Sequence, residues 1–123
     1  MKEILIVDDH EMMRKFLSTF LSRNFKVQMA EDGVEALEYL EENPAPALII
    51  ADIDMPRMDG YDFLNRVKEK PEWNQIPVLI LSSKSKSENR IKAYTLGAVD
   101  VLNKPFNPKE LELKIKNIGV LES

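Results

Sequence analysis

Residues 47–60 read ALIIADIDMPRMDG, and this stretch decides the fold. Leu48–Ala51 is a continuous apolar run that is too short for a helix and stops at a charge, Asp52. Such a run predicts a strand that is buried on both faces of a sheet. The proline and glycine that follow, Pro56 and Gly60, predict a loop before the next helix. The segment therefore predicts a buried strand that ends in a carboxylate.

Similar strands are predicted on both sides of this segment, and helices are predicted between them. The predicted strands are Ile4–Val7, Phe25–Ala30, Leu48–Ala51, Pro77–Leu81 and Val99–Leu102. Apolar residues at helical spacing predict the helices, which cover Met13–Leu21, Glu31–Glu42, Tyr61–Lys70, Glu88–Leu96 and Pro108–Ile118. Strands that are apolar throughout and alternate with helices indicate a parallel sheet that is covered on both faces. The predicted fold class is therefore a doubly wound α/β layer.

Length and composition limit the possible functions. A chain of 123 residues favours one domain, predicted at 1–119 with a short C-terminal tail at 120–123. The absence of cysteine excludes a disulfide framework, a thiolate nucleophile and a cysteine-ligated zinc site. Every apolar run is far shorter than the ~20 residues of a membrane span, and Asp8 and Asp9 interrupt the first one. We expect a soluble, cytoplasmic protein that does not bind a membrane.

Charge is distributed unevenly along the chain. Residues 1–80 hold 9 basic and 16 acidic side chains, whereas residues 81–123 hold 8 basic and 5 acidic ones. The acidic first part argues against a nucleic-acid groove, which needs clustered lysine and arginine. The mildly basic last third is more often a solvated face than a partner surface.

Polar residues stand where the strands end, and in a parallel sheet these ends share one edge. The residues at this edge are Asp8 and Asp9 after the first strand, Asp52 after the third, Ser82 and Ser83 after the fourth, and Lys104 after the fifth. Ligands of such sheets bind beyond the carboxyl ends of the strands. The sequence therefore predicts a binding site at this edge.

The residue types at this edge predict phosphoryl chemistry. Converging carboxylates favour a bound cation, and oxygen ligands with no histidine or cysteine nearby favour Mg²⁺ over Zn²⁺. Because Mg²⁺ usually works with phosphate, we expect a phosphoryl group there, with Lys104 and Ser82 facing its oxygens. A carboxylate beside the metal can be the nucleophile and form an aspartyl-phosphate.

Four segments, in this order and spacing, resemble the receiver domain of bacterial two-component response regulators. They are Asp8-Asp9, the sequence DIDMPRMDG at 52–60, Leu81-Ser82-Ser83, and Gly97-Ala98 with Lys104-Pro105-Phe106. The resemblance covers the whole chain. It implies a flavodoxin-like sheet with strand order 2-1-3-4-5 and five helices, an order that the spacing alone does not provide.

The resemblance also implies a metal site for Mg²⁺, with Mn²⁺ as an alternative. Asp9 matches the direct ligand, and Asp8 matches the neighbour that acts mainly through water. Asp52 and the backbone carbonyl of Asp54 complete the implied set.

The phosphoryl chemistry implied by the resemblance centres on Asp52. This residue matches the phosphoacceptor, which takes a phosphoryl group from the phosphohistidine of a sensor histidine kinase or a phosphotransfer protein. Ser82 and Lys104 match the residues that contact the phosphoryl group, and the Lys104–Pro105 peptide bond is expected to be cis. Such a protein is not a classical enzyme, although it catalyses its own phosphorylation and slowly loses the group again.

The resemblance implies that phosphorylation switches a face formed by the fourth helix, the fifth strand and the fifth helix. This face then controls a downstream effector or forms a homodimer. Val101 stands where many receivers have an aromatic residue, so coupling to this face is expected to be weaker or to use loop and helix shifts. Asp54 and Lys84 are expected to pair, at positions that tune the lifetime of the acyl phosphate.

Other interpretations remain open from the sequence. Asp52-Ile53-Asp54 also resembles the first motif of haloacid-dehalogenase phosphatases, although Pro56 and the short chain count against it. A degenerate receiver would dock to partners without phosphorylation. Asp8 and Asp9 are also candidates for a simple helix cap, and His10 is expected to be a solvated residue of the first turn. The chain is either a stand-alone receiver or part of a longer regulator, with no output domain expected after Gly119.

Overall fold

The computed structural model describes residues 1–119, and the predicted tail at 120–123 lies outside them. The strands are β1 Glu3–Val7, β2 Lys26–Ala30, β3 Leu48–Asp52, β4 Val78–Ser82 and β5 Asp100–Asn103. The helices are α1 Glu11–Leu21, α2 Gly33–Glu42, α3 Gly60–Glu69, α4 Ser87–Thr95 and α5 Pro108–Ile118. Each predicted strand and helix is present, and each end matches the prediction or differs from it by at most two residues.

The five strands form one parallel sheet in the order β2-β1-β3-β4-β5, which confirms the predicted fold class and strand order. Every residue of β3 and β4 is buried. Their position in the middle of the sheet, with helices on both faces, explains why their sequences are apolar without alternation. The carboxyl ends of β1, β3, β4 and β5 therefore lie side by side.

The sheet separates two apolar cores, because alternate residues of a strand point to opposite faces. One core joins Leu5, Val7 and Ile49 with residues of α2, α3 and α4, including Phe63. The other core joins residues such as Ile6 with α1 and α5, including Leu17. Across residues 1–119, no helix has the length and apolar character needed to cross a bilayer.

Three apolar side chains lie elsewhere than the sequence pattern suggests. Met29 is 48% exposed, because β2 is an edge strand with a neighbour on one side only. Phe16 belongs to the apolar stripe of α1 but is 42% exposed, and it stacks on the ring of Phe20 near the surface. Trp73 lies in a polar stretch between Pro71 and Pro77 but is buried in the core beside α2 and α3.

The carboxylate of Asp100 joins β5 to both neighbouring helices. It accepts hydrogen bonds from the Tyr94 hydroxyl at 3.0 Å, the Lys114 ammonium at 3.0 Å and the Val101 backbone N–H at 2.8 Å. Burial by itself would raise the pKa of this carboxyl, but these hydrogen bonds outweigh burial and hold the pKa below its ordinary value. The folded state therefore favours the ionised form of Asp100.

Asp100→Asn is expected to lower the free energy of unfolding by about 1 kcal/mol at pH 7, because the charged acceptor of three hydrogen bonds is lost. Since the pKa of Asp100 is lower in the folded state, the stabilisation is complete above the unfolded-state pKa and disappears as pH falls through the folded-state pKa. Urea unfolding of both proteins from pH 7 down to pH 3 measures the difference. Glu69→Gln, at an exposed position of α3, is the control. A difference that does not change with pH would contradict this account.

Candidate functional site

Two carboxylates and one ammonium group meet at the carboxyl edge of the sheet. Asp8 follows β1, Asp52 ends β3, and Lys104 follows β5. Lys104 Nζ lies 3.1 Å from Asp52 Oδ1 and 3.4 Å from Asp8 Oδ2. The carboxylate side chains are almost fully buried, at 1% exposure for Asp8 and 3% for Asp52. Because two buried negative charges face one positive charge, the site can accept a further cation.

The acidic cluster has the composition of a cation site. Asp8, Asp9, His10 and Asp52 each offer one ligand atom, and these atoms all lie within 4.8 Å of one another. The expectation that no histidine lies nearby is wrong, because His10 Nδ1 lies 3.1 Å from Asp8 Oδ1 and 3.2 Å from Asp9 Oδ1. His10 precedes α1 with an extended backbone, and its ring stays 65% exposed, as expected for a solvated residue.

Asp8 and Asp9 do not cap the first helix. The residue at the cap position of α1 is His10, which makes no side-chain capping hydrogen bond. Asp8 Oδ1 instead accepts the backbone N–H of His10 at 2.8 Å. The simple capping interpretation of this acidic pair is therefore wrong.

The carboxyl of Asp52 is held in one orientation. Its Oδ1 accepts the backbone N–H of Ile53 at 2.9 Å as well as the contact from Lys104. Burial raises the pKa of Asp52 and the charge of Asp8 adds to the rise, while Lys104 opposes it. A positive charge close to this carboxyl therefore favours its ionised, nucleophilic form.

The loop that carries Asp8 is fixed by contacts to β2 and α1. The N–H of Asp8 donates to the carbonyl of Ala30 at 3.1 Å, and Arg14 Nη1 donates to the carbonyl of Asp8 at 2.7 Å. The sequence pattern did not predict this contact of Arg14. A basic residue near the amino end of a helix interacts unfavourably with the helix dipole. The position of Arg14 in the sequence was therefore a sign that its side chain has a specific partner.

The sequence predicts Gly60 only as part of the loop after Asp52, but the structure places it in a close backbone contact. Its N–H donates to the carbonyl of Ile53 at 2.7 Å. A Cβ at this position would lie 2.4 Å from the carbonyl oxygen of Asp52 and 2.7 Å from Cα of Ile53. The start of α3 therefore packs directly against the backbone that carries Asp52, which only glycine allows.

Ser82, Asp54 and Lys84 lie around the same edge. Ser82 ends β4, and its hydroxyl accepts the N–H of Lys84 at 2.9 Å and donates to the carbonyl of Lys84 at 3.3 Å. The carboxylate of Asp54 lies 3.5 Å from Lys84 Nζ, so the expected pair is present, with both side chains about half exposed. The Ser82 carbonyl accepts the N–H of Lys104 at 2.7 Å, and the Lys104–Pro105 bond is cis.

Two relatives and two solved structures show what this chain is similar to. It is 39% identical over 117 residues to the response regulator Rre1 of Synechocystis, covering 94% of this chain and 50% of Rre1. It is 39% identical over 115 residues to the histidine kinase P4 of Formosa agariphila, covering 94% of this chain and 8% of the kinase. The chain thus spans half or less of these curated relatives.

Among solved structures, the chemotaxis response regulator CheY4 of Vibrio cholerae superimposes with a TM-score of 0.89 at 31% identity, over 96% of this chain and 98% of CheY4. The Mn²⁺-bound form of response regulator Rcp1 superimposes with a TM-score of 0.84 at 28% identity, over 100% of this chain and 96% of Rcp1. Residues 4–116 match the family described as the response regulator receiver domain. The chain therefore belongs to the receiver domain family of two-component systems.

Proposed function

We propose that residues 1–119 form a receiver domain that is activated by phosphorylation of Asp52. The phosphoryl group comes from the phosphohistidine of a sensor histidine kinase or a phosphotransfer protein, in a Mg²⁺-dependent reaction that Mn²⁺ also supports. The observation that carries this proposal is the buried Asp52 carboxylate, held 3.1 Å from Lys104 and next to a second buried carboxylate, Asp8. We place this function in the cytoplasm, where such kinases present their phosphohistidine.

The residues of the acidic cluster fit a divalent cation. Asp8, Asp9 and Asp52 would hold it together with the backbone carbonyl of Asp54, and their oxygens are the ligands that Mg²⁺ prefers. The bound cation supplies positive charge to the carboxylates and to the phosphoryl oxygens. The similarity to Rcp1, whose structure contains Mn²⁺, supports this assignment.

The side chains of the site have separate roles in phosphoryl transfer. One oxygen of Asp52 forms the new bond to phosphorus as the phosphorus–nitrogen bond of the phosphohistidine breaks, and the imidazole leaves. Lys104 neutralises charge on the phosphoryl oxygens, and the Ser82 hydroxyl exchanges its bonds to Lys84 for one to the phosphoryl group. The pair of Asp54 and Lys84 flanks the site and tunes the slow autodephosphorylation.

Phosphorylation biases a pre-existing equilibrium at the face of α4, β5 and α5. This face then controls a downstream effector protein or pairs with a second copy of the chain, without binding nucleic acid or a membrane. Three apolar side chains on this face support the proposal. Ile91 on α4, Leu113 on α5 and Val99 in the loop before β5 are between 45% and 62% exposed. Position 101 is a buried valine, so the switch uses no aromatic ring at this position.

Intact mass after incubation with acetyl phosphate tests this function. We expect one phosphoryl adduct that forms with Mg²⁺ and fails to form with EDTA. Turnover of free phosphate esters would instead support the phosphatase interpretation. If no adduct forms, and beryllium fluoride with Mg²⁺ leaves the amide NMR spectrum unchanged, the chain is a docking module that is never phosphorylated.

A further inference from the structure

An ion pair holds the tip of the loop between β3 and α3 against the start of α2. Arg57 lies at this tip, and its Nε and Nη2 atoms lie 2.8 Å and 2.7 Å from one oxygen of Asp32, Oδ2. The other oxygen of Asp32 accepts the N–H of Glu35 at 2.9 Å and so caps α2. The Asp32 side chain is only 9% exposed. Because both of its oxygens are engaged and it is buried, Asp32 is a firm anchor for Arg57.

The backbone at Arg57 also shows that the loop is held in place. With φ of 65°, Arg57 is the one residue other than glycine with a positive φ within residues 1–119. A residue other than glycine seldom has a positive φ, and here the hydrogen bond from the Met58 N–H to the Pro56 carbonyl at 2.7 Å closes a tight turn around Arg57. The side chain of Met58 packs against the first residue of α2, because a Cβ added to Gly33 would lie 2.9 Å from the Met58 sulfur. Arg57 and Met58 thus both rest on the first turn of α2.

The same loop begins and ends beside Asp52. Because Ile53 accepts the N–H of Gly60, the segment between them is closed at its base, with Arg57 at the far end. Asp54, whose backbone carbonyl is a proposed cation ligand, lies between the base and this tip. The Arg57 side chain is itself 59% exposed, but two of its nitrogens lie within 2.8 Å of the buried Asp32 carboxylate. On the other side of the loop, the Asp54–Lys84 pair is half exposed at both partners and its charged atoms lie 3.5 Å apart, and such surface pairs hold weakly. The anchor on α2 therefore has the larger part in setting the position of the loop.

We propose that Arg57 is a positioning residue for the cation site and acts through Asp32. The ion pair orders the loop before the cation binds, so that the carbonyl of Asp54 is already close to its binding position. Mg²⁺ demands nearly ideal octahedral geometry, and a ligand that must be ordered on binding lowers the affinity. This inference rests on the proposed function, because it concerns the same cation.

The charge of Arg57 alone predicts the opposite effect, which makes the proposal testable. Removing a positive charge near an acidic cluster strengthens the attraction of that cluster for a divalent cation. Loss of the ion pair with Asp32 should instead weaken the binding of the cation. Arg57→Asn separates the two effects, because asparagine tolerates the left-handed backbone and so removes the ion pair without adding strain.

The test is the Mg²⁺ dissociation constant of the whole chain, measured by amide NMR titration, with Mn²⁺ binding measured by electron paramagnetic resonance as a second readout. Arg57→Asn and Asp32→Asn are each expected to weaken binding about tenfold. The double variant should bind no more weakly than either single variant, because the two residues act as one unit. Arg57→Lys, which retains one donor, should restore part of the affinity. Arg66→Asn removes a guanidinium from an exposed pair with Asp62 and should bind like the wild type.

Unchanged or tighter Mg²⁺ binding by Arg57→Asn, next to a wild type that binds Mg²⁺, would overturn the positioning role and leave the proposed function standing. Failure of the wild type itself to bind Mg²⁺ or Mn²⁺ would contradict the proposed function. Urea unfolding without Mg²⁺ checks that each variant is folded. If Asp32→Asn loses its fold through the cap of α2, Arg57→Asn and Arg57→Lys decide the matter.

Discussion

Asp52→Asn is expected to abolish the Mg²⁺-dependent phosphoryl adduct and to leave the fold intact. An amide oxygen is too weak a nucleophile to form the acyl phosphate, and in the proposed function no neighbouring carboxylate replaces it. Intact mass after incubation with acetyl phosphate and Mg²⁺ measures the loss. Asp62→Asn, which removes an exposed carboxylate from α3, is the matched control and should form the adduct like the wild type.

The stability of Asp52→Asn distinguishes loss of the nucleophile from loss of the fold. Because the pKa of Asp52 is higher in the folded than in the unfolded state, its contribution to stability is complete below the unfolded-state pKa and is lost as pH rises through the folded-state pKa. At pH 7 the ionised carboxyl therefore opposes folding. The neutral amide removes this opposition, so the midpoint of urea unfolding at pH 7 should be no lower than in the wild type. An adduct that persists in a folded Asp52→Asn protein would place the acceptor elsewhere.

Gly60→Ala is expected to lower the free energy of unfolding by about 2 kcal/mol, as is typical of overpacking in a closely packed site. The new methyl group would lie 2.4 Å and 2.7 Å from backbone atoms of Asp52 and Ile53, neither of which can turn away as a flexible side chain can. The backbone of β3 or the start of α3 must therefore shift. Because this backbone carries Asp52, phosphorylation by acetyl phosphate should also become slower.

Gly33→Ala is the matched control for this prediction. A Cβ at Gly33 would meet the thioether of Met58 at 2.9 Å, at the far end of a flexible side chain that can move. Because a methionine side chain adapts more easily than the backbone that faces Gly60, this variant should lose less stability than Gly60→Ala. Equal destabilisation by the two substitutions would show that the close approach of Gly60 to β3 has no special cost.

The two proposals divide the site between chemistry and positioning. As proposed, Asp52 and Lys104 contact the phosphoryl group, whereas Arg57, Asp32 and Gly60 act on the loop that connects Asp52 with α3. Gly60 fixes the base of this loop and Arg57 fixes its tip. Substitutions at the base should change both stability and phosphorylation, while substitutions at the tip should mainly change cation affinity.

Much of the edge of the sheet could be predicted from local sequence. Apolar runs such as Leu48–Ala51 report strands that are buried on both faces, and the parallel sheet then brings the residues after each run to one side. Asp8, Asp52 and Lys104 meet there although they are far apart in the chain. The order of the strands came from the resemblance to receiver domains, since periodicity does not say which strands are neighbours.

The sequence by itself determined the alternation of strands and helices, the parallel sheet and the edge at which the acidic residues stand, because periodicity and residue type are local properties. Only the tertiary structure decided the features that depend on residues distant in the chain. It exposed Met29 on an edge strand, buried Trp73, turned His10 towards the carboxylates and joined Arg57 to Asp32. It also pressed Gly60 against Asp52, a contact that exists only once α3 packs against the end of β3. Such contacts follow from distances between elements, and no local pattern encodes those distances.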